Sequence, residues 1–388
     1  MRNVKKLLCV VLVLVVALTA ASCSLNKQYA YDKDDIKLPV GVYIYYLSQA
    51  YSEAQSYAQQ LDSYDSTTGR YNGKKSFLKL EITDSDNNTA VAEDWIKDKA
   101  KEYTQQAIAV NREFNRLGAT MDELGPNNMY SEVNIYSIYN SQTGQLDYSL
   151  DQTLADVAKN YEQFGIGFDS WLYCNASVNR MKTEAFNKEY AEDGATPVKK
   201  DEIQKYFTDN YTSYSTISAD LYKTETAEDE SGESKSVALS KAEIKKYTDA
   251  FKGYVSELNN GAKMDDVVAE YNAAFGTETT ANSNVTKIDK DTTDELNKAI
   301  LALKEGQATY KIIGEDETSR VIYLIYKAPI KNSIKDYVDD ENQRANLLHE
   351  MKDDAFQELL DKYVEDGNCE LSSDCNGYQP SLFEKTKK

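Results

Sequence analysis

The sequence contains a single histidine, His349, among its 388 residues. A Ser-His-Asp triad would have to use this residue. It lies beside the apolar stripe of a charged amphipathic segment, where we expect a solvated or partly packed side chain. Zinc sites built on several histidines or cysteines lack their ligands. The 17 glycines are scattered and form no phosphate-binding loop. We therefore expect no metal and no cofactor.

Basic residues and proline are also scarce. Lys and Arg total 44 against 64 Asp and Glu, which gives a net charge of −20. Such a surface repels phosphate backbones, so we expect no nucleic-acid partner. The five prolines suit long helices. An apolar content of 41% and an aromatic content of 11%, including 30 tyrosines, predict a globular chain with more than one core.

The N-terminus has the form of an export signal. A basic stretch, residues 1–6, precedes an apolar run, residues 7–21, that is short for a transmembrane helix. The run ends in LTAASC, which resembles a bacterial lipobox. The resemblance predicts a signal peptide over residues 1–22, lipid attachment at Cys23, and a location outside the cytoplasm on the bacterial cell membrane. The alternatives are an ordinary signal peptide with an unrelated Cys, or an uncleaved anchor.

Helical periodicity dominates residues 39–214, after a polar segment, residues 23–38, that we interpret as a tether. Apolar residues follow a helical spacing over residues 41–61, 93–117 and 150–164. A further stripe lies on one helical face: Trp171, Cys174, Val178, Met181 and Ala185. Its position makes Cys174 a buried hydrophobe rather than a nucleophile.

The pattern changes over residues 215–331. It predicts a strand, an acidic loop, three helices and two strands on a small sheet. Residues 321–325 are apolar on both faces, as a central strand requires. A long amphipathic helix over residues 340–365 follows, and we expect residues 332–366 to return to the helical domain. Residues 367–388 read as a polar tail, in which Cys369 and Cys375 are either disulfide-bonded or two free surface thiols. The predicted fold class is α+β and predominantly helical.

Several segments resemble one family. FGIGFDSWL and NKEYAEDGATPVKKDEIQKYFTDNY are similar to the junction between the helical and parvulin domains of extracytoplasmic foldases, namely PrsA-type lipoproteins, SurA-type chaperones and, more distantly, trigger factor. LALKEGQATYKII and RVIYLIY resemble the end of a parvulin domain. The resemblance spans residues 40–366. It implies a helical chaperone domain closed by the C-terminal helix, with an inserted parvulin-like domain that isomerises prolyl peptide bonds.

The residues at the expected proline groove depart from the family. Parvulins carry two histidines on central strands, whereas this chain has Asp220 at the first position and Ile322 or Tyr323 at the second. Leu296 falls near the usual aromatic residue. Isomerisation crosses a barrier of about 18–20 kcal/mol without breaking bonds. We therefore expect a degenerate proline groove to have reduced isomerase activity rather than none at all.

Binding is the remaining function. The resemblance implies a membrane-anchored chaperone for unfolded or nascent secreted polypeptides. Two aromatic clusters, residues 43–46 and 130–139, are candidates to line a cradle for such chains, although core packing is the alternative for each ring. The rival hypothesis is a solute-binding or surface-scaffold lipoprotein.

Overall fold

The computed structural model describes residues 28–121, 137–226 and 234–384. Helices make up 52% of it and strands 19%, in small sheets, which confirms a predominantly helical α+β fold. The predicted signal peptide, Cys23 and the tyrosines of residues 130–136 lie outside the described residues. Within the described ranges, no helix combines the length and apolarity needed to cross a bilayer.

The chain divides into two compact units. The helical unit contains the described residues up to Pro197 together with those from Asp353 onward, and the sheet unit runs from Val198 to Lys352. The structure therefore places the unit boundaries at positions that differ from residues 214/215 and 331/332 predicted from the sequence.

The helical unit is built from five helices and four short hairpins within its described residues. In chain order these are β1 (Tyr29–Lys33), β2 (Ile36–Pro39), α1 (Val40–Ala58), β3 (Tyr64–Asp65), β4 (Arg70–Tyr71), β5 (Glu81–Thr83), β6 (Thr89–Val91), α2 (Ala92–Arg116), β7 (Tyr139–Asn140), β8 (Gln145–Leu146), α3 (Gln152–Glu162), α4 (Phe168–Leu172) and α5 (Val178–Tyr190).

Helices α1 and α2 form the main core of this unit. Each presents small residues to the other, which lets two helices approach closely. The buried alanines are Ala50, Ala54 and Ala58 on α1, and Ala92 and Ala100 on α2. Larger side chains such as Leu47, Phe77 and Ile96 fill the same cluster. Both helices agree with their predicted limits to within three residues.

A π-helical turn, Tyr173–Ser177, links α4 to α5. The predicted stripe runs through it, because Cys174, Val178, Met181 and Ala185 are all buried.

The predicted tether is shorter than expected. Residues 29–39 form the β1–β2 hairpin instead, since Tyr31, Ile36 and Leu38 are buried. Arg112 on α2 holds this hairpin through Asp34 (2.7 Å) and the Tyr31 hydroxyl (2.9 Å).

The predicted polar tail is folded. The backbone N–H of Ser372 donates to the carbonyl of Ala30 (2.8 Å), and the Tyr378 hydroxyl donates to Gln28 Oε1 (2.9 Å). Cys375 belongs to the same core cluster as Leu47. The few apolar residues of the tail were enough to fold it, because the N-terminal hairpin supplied partners that a local pattern does not show.

The sheet unit contains both strands and helices. In chain order its elements are α6 (Lys200–Asn210), β9 (Thr212–Asp220), β10 (Tyr222–Thr226), β11 (Ser234–Ala238), α7 (Lys241–Asn259), α8 (Met264–Phe275), β12 (Asn282–Thr286), α9 (Glu295–Ala302), β13 (Gln307–Ile313), β14 (Val321–Ala328) and α10 (Ile334–Tyr337), followed by α11 (Glu341–Glu365), which ends in the helical unit.

The main sheet has the strand order β12–β9–β14–β13, with every pairing antiparallel. The central position predicted for β14 is confirmed. Ile322 and Leu324 pack on one face with Phe251 and Tyr254 of α7. The sequence missed β12, because Asn282–Thr286 is an edge strand with one large apolar residue, Val285.

Local signals placed α7 correctly. Ser240 Oγ accepts from the N–H of Glu243 (3.3 Å), and the Glu243 carboxylate accepts from the N–H of Ser240 (2.8 Å), so the two residues form a capping box. Helix α9 begins after Asp294, whose carboxylate accepts from the N–H of Asn297 (2.7 Å).

Helix α6 belongs to the sheet unit through its own contacts. Phe207 stacks on Tyr337 with ring centroids 5.2 Å apart, and Lys200 forms an ion pair with Asp339 at 2.6 Å. Because of these contacts, the sheet unit begins at Val198, before α6, and includes residues 332–352.

The last part of α11 lies against the helical unit. Gln106 Nε2 on α2 donates to Asp361 Oδ1 (2.6 Å), and Phe186 on α5 meets Phe356 edge-on at 5.5 Å. These contacts join the end of the chain to helices formed much earlier in the sequence.

A tyrosine-lined groove in the helical unit

A groove of about 500 Å³ opens along α1. Six of its eight lining residues recur on one face of that helix, one is on α2, and one is in the π-helical turn. The groove residues are Tyr45, Tyr46, Gln49, Ser52, Glu53, Ser56, Tyr103 and Cys174. The opposite face of α1 is buried against α2, so α1 positions both the core and the groove.

Hydrogen bonds fix the polar tips of the groove. The Tyr103 hydroxyl donates to Glu53 Oε2 (2.7 Å), and Tyr57 donates to Glu53 Oε1 (3.1 Å). The Tyr45 hydroxyl donates to Asn175 Oδ1 (3.0 Å). With their tips held, the tyrosines present ring surface to the groove at little further cost in side-chain entropy.

The rings also contact one another. Tyr45 and Tyr46 meet edge-on with centroids 5.7 Å apart, and Tyr46 and Tyr103 are tilted at 5.9 Å. Burial raises the pKa of Tyr45 to about 12 and also raises the pKa of Tyr46. Burial, followed by the hydrogen bond to Glu53, raises the pKa of Tyr103. All three phenols are therefore neutral donors at ordinary pH.

Cys174 is buried, as the sequence predicted, and it borders the groove. Burial raises the pKa of its thiol. A protonated thiol is a poor nucleophile, so this residue is a packing element.

The first aromatic cluster serves two roles. Tyr43 belongs to the core, Tyr45 is buried in a second core cluster and borders the groove, and Tyr46 is half-buried and lines the groove. In the second cluster only Tyr139 is described, and it is half-buried in β7.

Of the two alternatives for the second histidine position, Tyr323 is the one that shares a face of the sheet with Asp220. Ile322 lies opposite Ala219 and is completely buried on the face covered by α7. Tyr323 lies opposite Ser218, and Asp220 lies opposite Val321, both on the other face. The structure thus brings Asp220 and Tyr323 to one face and places Ile322 on the opposite face.

Leu296 is half-buried on α9, which packs against β13 and β14. This helix covers the face that carries Tyr323. Tyr214 lies on that face, and its pKa is raised mainly by burial and also by the nearby charge of Asp294, at the start of α9. Leu296 is therefore on the same side of the sheet as Tyr323.

Cys369 and Cys375 are both free thiols. They are buried, which corrects the expected surface position. Burial raises the pKa of Cys369 to about 11 and that of Cys375 to about 12, so both thiols are protonated.

A second polar centre, the charge cluster, was not found from the sequence. Arg116 at the end of α2 binds both oxygens of Glu113 (2.6 and 2.7 Å) and one oxygen of Glu189 (2.6 Å). The Tyr363 hydroxyl on α11 donates to Glu113 (3.0 Å), and Thr196 donates to Glu189 (2.6 Å). The i,i+3 spacing of Glu113 and Arg116 was its one local signal.

No group of His, Cys, Asp and Glu in the described ranges is arranged to hold a metal ion. Comparison with protein-family models, with curated proteins and with solved structures found no match.

Proposed function

We propose that this protein is a chaperone of the parvulin-foldase type that binds unfolded or nascent secreted polypeptides outside the cytoplasmic membrane. A lipid on Cys23 holds it at that membrane. The sheet unit is a parvulin-like domain inserted in a helical chaperone domain that α11 closes. The proline groove of this parvulin-like domain is degenerate.

The groove carries this proposal. Tyr46 and Tyr103 are half-buried and present ring surface at the groove, and the hydroxyls of Tyr45 and Tyr103 are hydrogen-bonded. Such amphipathic surface suits chains of many sequences, because apolar contacts are non-directional and phenols tolerate water nearby.

Two further observations support the proposal. The helical unit is made from two separated stretches of chain, and the residues between them form a unit of helices, a two-stranded hairpin and a four-stranded antiparallel sheet. Asp220 and Tyr323 share one face of the sheet, and the absence of a histidine at either position supports weak or absent isomerase activity.

The rival solute receptor finds less support. Receptors with two α/β lobes rest on parallel strands joined by helices. Every strand pairing within the described residues is antiparallel.

The chaperone activity is tested by light scattering from a reduced, aggregating client. We expect stoichiometric mature protein to suppress scattering, and Tyr46→Ala to weaken suppression because it removes ring surface from the groove. Tyr222→Ala, which removes a half-buried tyrosine in the β10–β11 hairpin, is the matched control. Wild-type protein that leaves scattering unchanged would contradict the proposal.

The isomerase expectation is tested separately with a proline-containing peptide. We expect no measurable acceleration of cis–trans exchange by the purified mature chain. A clear acceleration would show that the proline groove of the sheet unit is functional although it lacks the histidines of the family.

A further inference from the structure

The tyrosine-lined groove carries negative charge only. Among its eight lining residues, Glu53 is the one carboxylate, and none is Lys or Arg. An anionic side chain entering the groove would meet Glu53 without compensation, whereas a cation would be attracted. The net charge of −20 also draws basic chains at long range.

Glu53 is held in place and is not neutralised. Tyr103 and Tyr57 each donate to a different oxygen of this carboxylate. A carboxylate oxygen has two acceptor positions, so both oxygens keep one for a further donor. Within the described ranges, no Lys or Arg forms an ion pair with Glu53.

The walls beside Glu53 are suited to a cation. The ring faces of tyrosines attract ammonium and guanidinium groups that lie within about 6 Å of the ring centroid. The structure already contains one such contact, because Lys99 Nζ lies 5.2 Å from the centroid of Tyr103. Tyr46 lies next to this ring, so two tyrosine rings line the groove together with Glu53.

We propose that the groove binds a lysine or arginine side chain of an extended client segment, with Glu53 as the counter-charge and Tyr46 and Tyr103 as its aromatic walls. The inference rests on the proposed chaperone function and adds the class of residue that the groove selects. The aliphatic part of a lysine side chain contacts the rings, while its ammonium group donates to the unused acceptor positions of Glu53.

The test uses two labelled peptides that differ at one central position, lysine in one and norleucine in the other, and follows fluorescence anisotropy with the mature chain. We expect the lysine peptide to bind about 10-fold more tightly. Glu53→Gln should reduce that preference to below about 3-fold. This variant keeps an amide oxygen as an acceptor for one of the two tyrosines, and a thermal melt verifies that it folds.

The matched control is Glu192→Gln, which changes the net charge equally at an exposed position after α5. It should keep the full preference. Equal binding of both peptides, together with intact suppression of client aggregation, would overturn this inference and leave the chaperone proposal standing. A lysine preference unchanged in Glu53→Gln would also overturn it. Loss of all binding and of suppression in the wild type would instead remove the proposed function itself.

Discussion

Helix α2 contributes one residue to each of two tyrosine–carboxylate pairs, and the two pairs have different surroundings. Tyr103 donates to Glu53 in the middle of the helix, and Glu113 accepts from Tyr363 near its end. Glu113 is fully buried and neutralised by Arg116. Glu53 is partly exposed and has no ion-pair partner within the described residues.

The difference separates a structural carboxylate from an available one. A buried carboxylate requires a permanent cation, because desolvation of an uncompensated charge is costly. A carboxylate at a groove keeps part of its hydration and can accept an external cation. The same chemical pair thus fastens α11 to α2 at one site and, in our proposal, selects basic client residues at the other.

The largest expected effect is the loss of unfolding free energy at alkaline pH, which tests the environments of the buried tyrosines. The pKa of Tyr43 and of Tyr45 is raised from 10.0 to about 12, chiefly by burial. Between these values the unfolded chain loses protons that the folded chain keeps, so stability present below pH 10 is lost as pH rises. We expect a loss of about 5 kcal/mol in unfolding free energy from these two residues by pH 12.

Urea unfolding at a series of pH values measures this loss. Tyr45→Phe should lower the slope above pH 10 by about 1.4 kcal/mol per pH unit. An unchanged slope would mean that Tyr45 ionises normally in the folded protein.

Arg116→Met tests the structural role of the charge cluster. It leaves Glu113 and Glu189 buried without their cation, so we expect unfolding free energy to fall by about 3 kcal/mol, at the low end for such pairs because the Arg116 side chain is 47% exposed. Lys79→Met, at the exposed ion pair with Glu93, is the control and should leave stability nearly unchanged. Equal effects of the two variants would remove the distinction between buried and exposed pairs.

Glu53→Gln should have the smallest effect on stability. The amide retains an acceptor for a tyrosine, and solvent reaches the site, so we expect a loss below about 1 kcal/mol in chemical denaturation. A loss as large as that of Arg116→Met would mean that Glu53 is also structural and would weaken its assignment to client binding.

Local patterns predicted much of the fold. The helical spacing predicted α2, and the apolar run around Leu324 predicted a central strand. Each signal lies within a few residues of chain. The polar edge strand β12 and the folded tail around Cys375 escaped prediction, because their partners are distant in sequence.

The sequence by itself determined that this protein has long amphipathic helices and a small sheet with a central apolar strand, since those features follow from the spacing of apolar side chains. Only the tertiary structure decided which polar residues meet. Glu53 and Tyr103 are 50 positions apart, and Glu113 and Tyr363 are 250 apart. Contacts over such separations depend on how helices pack, and no periodicity along the chain encodes them.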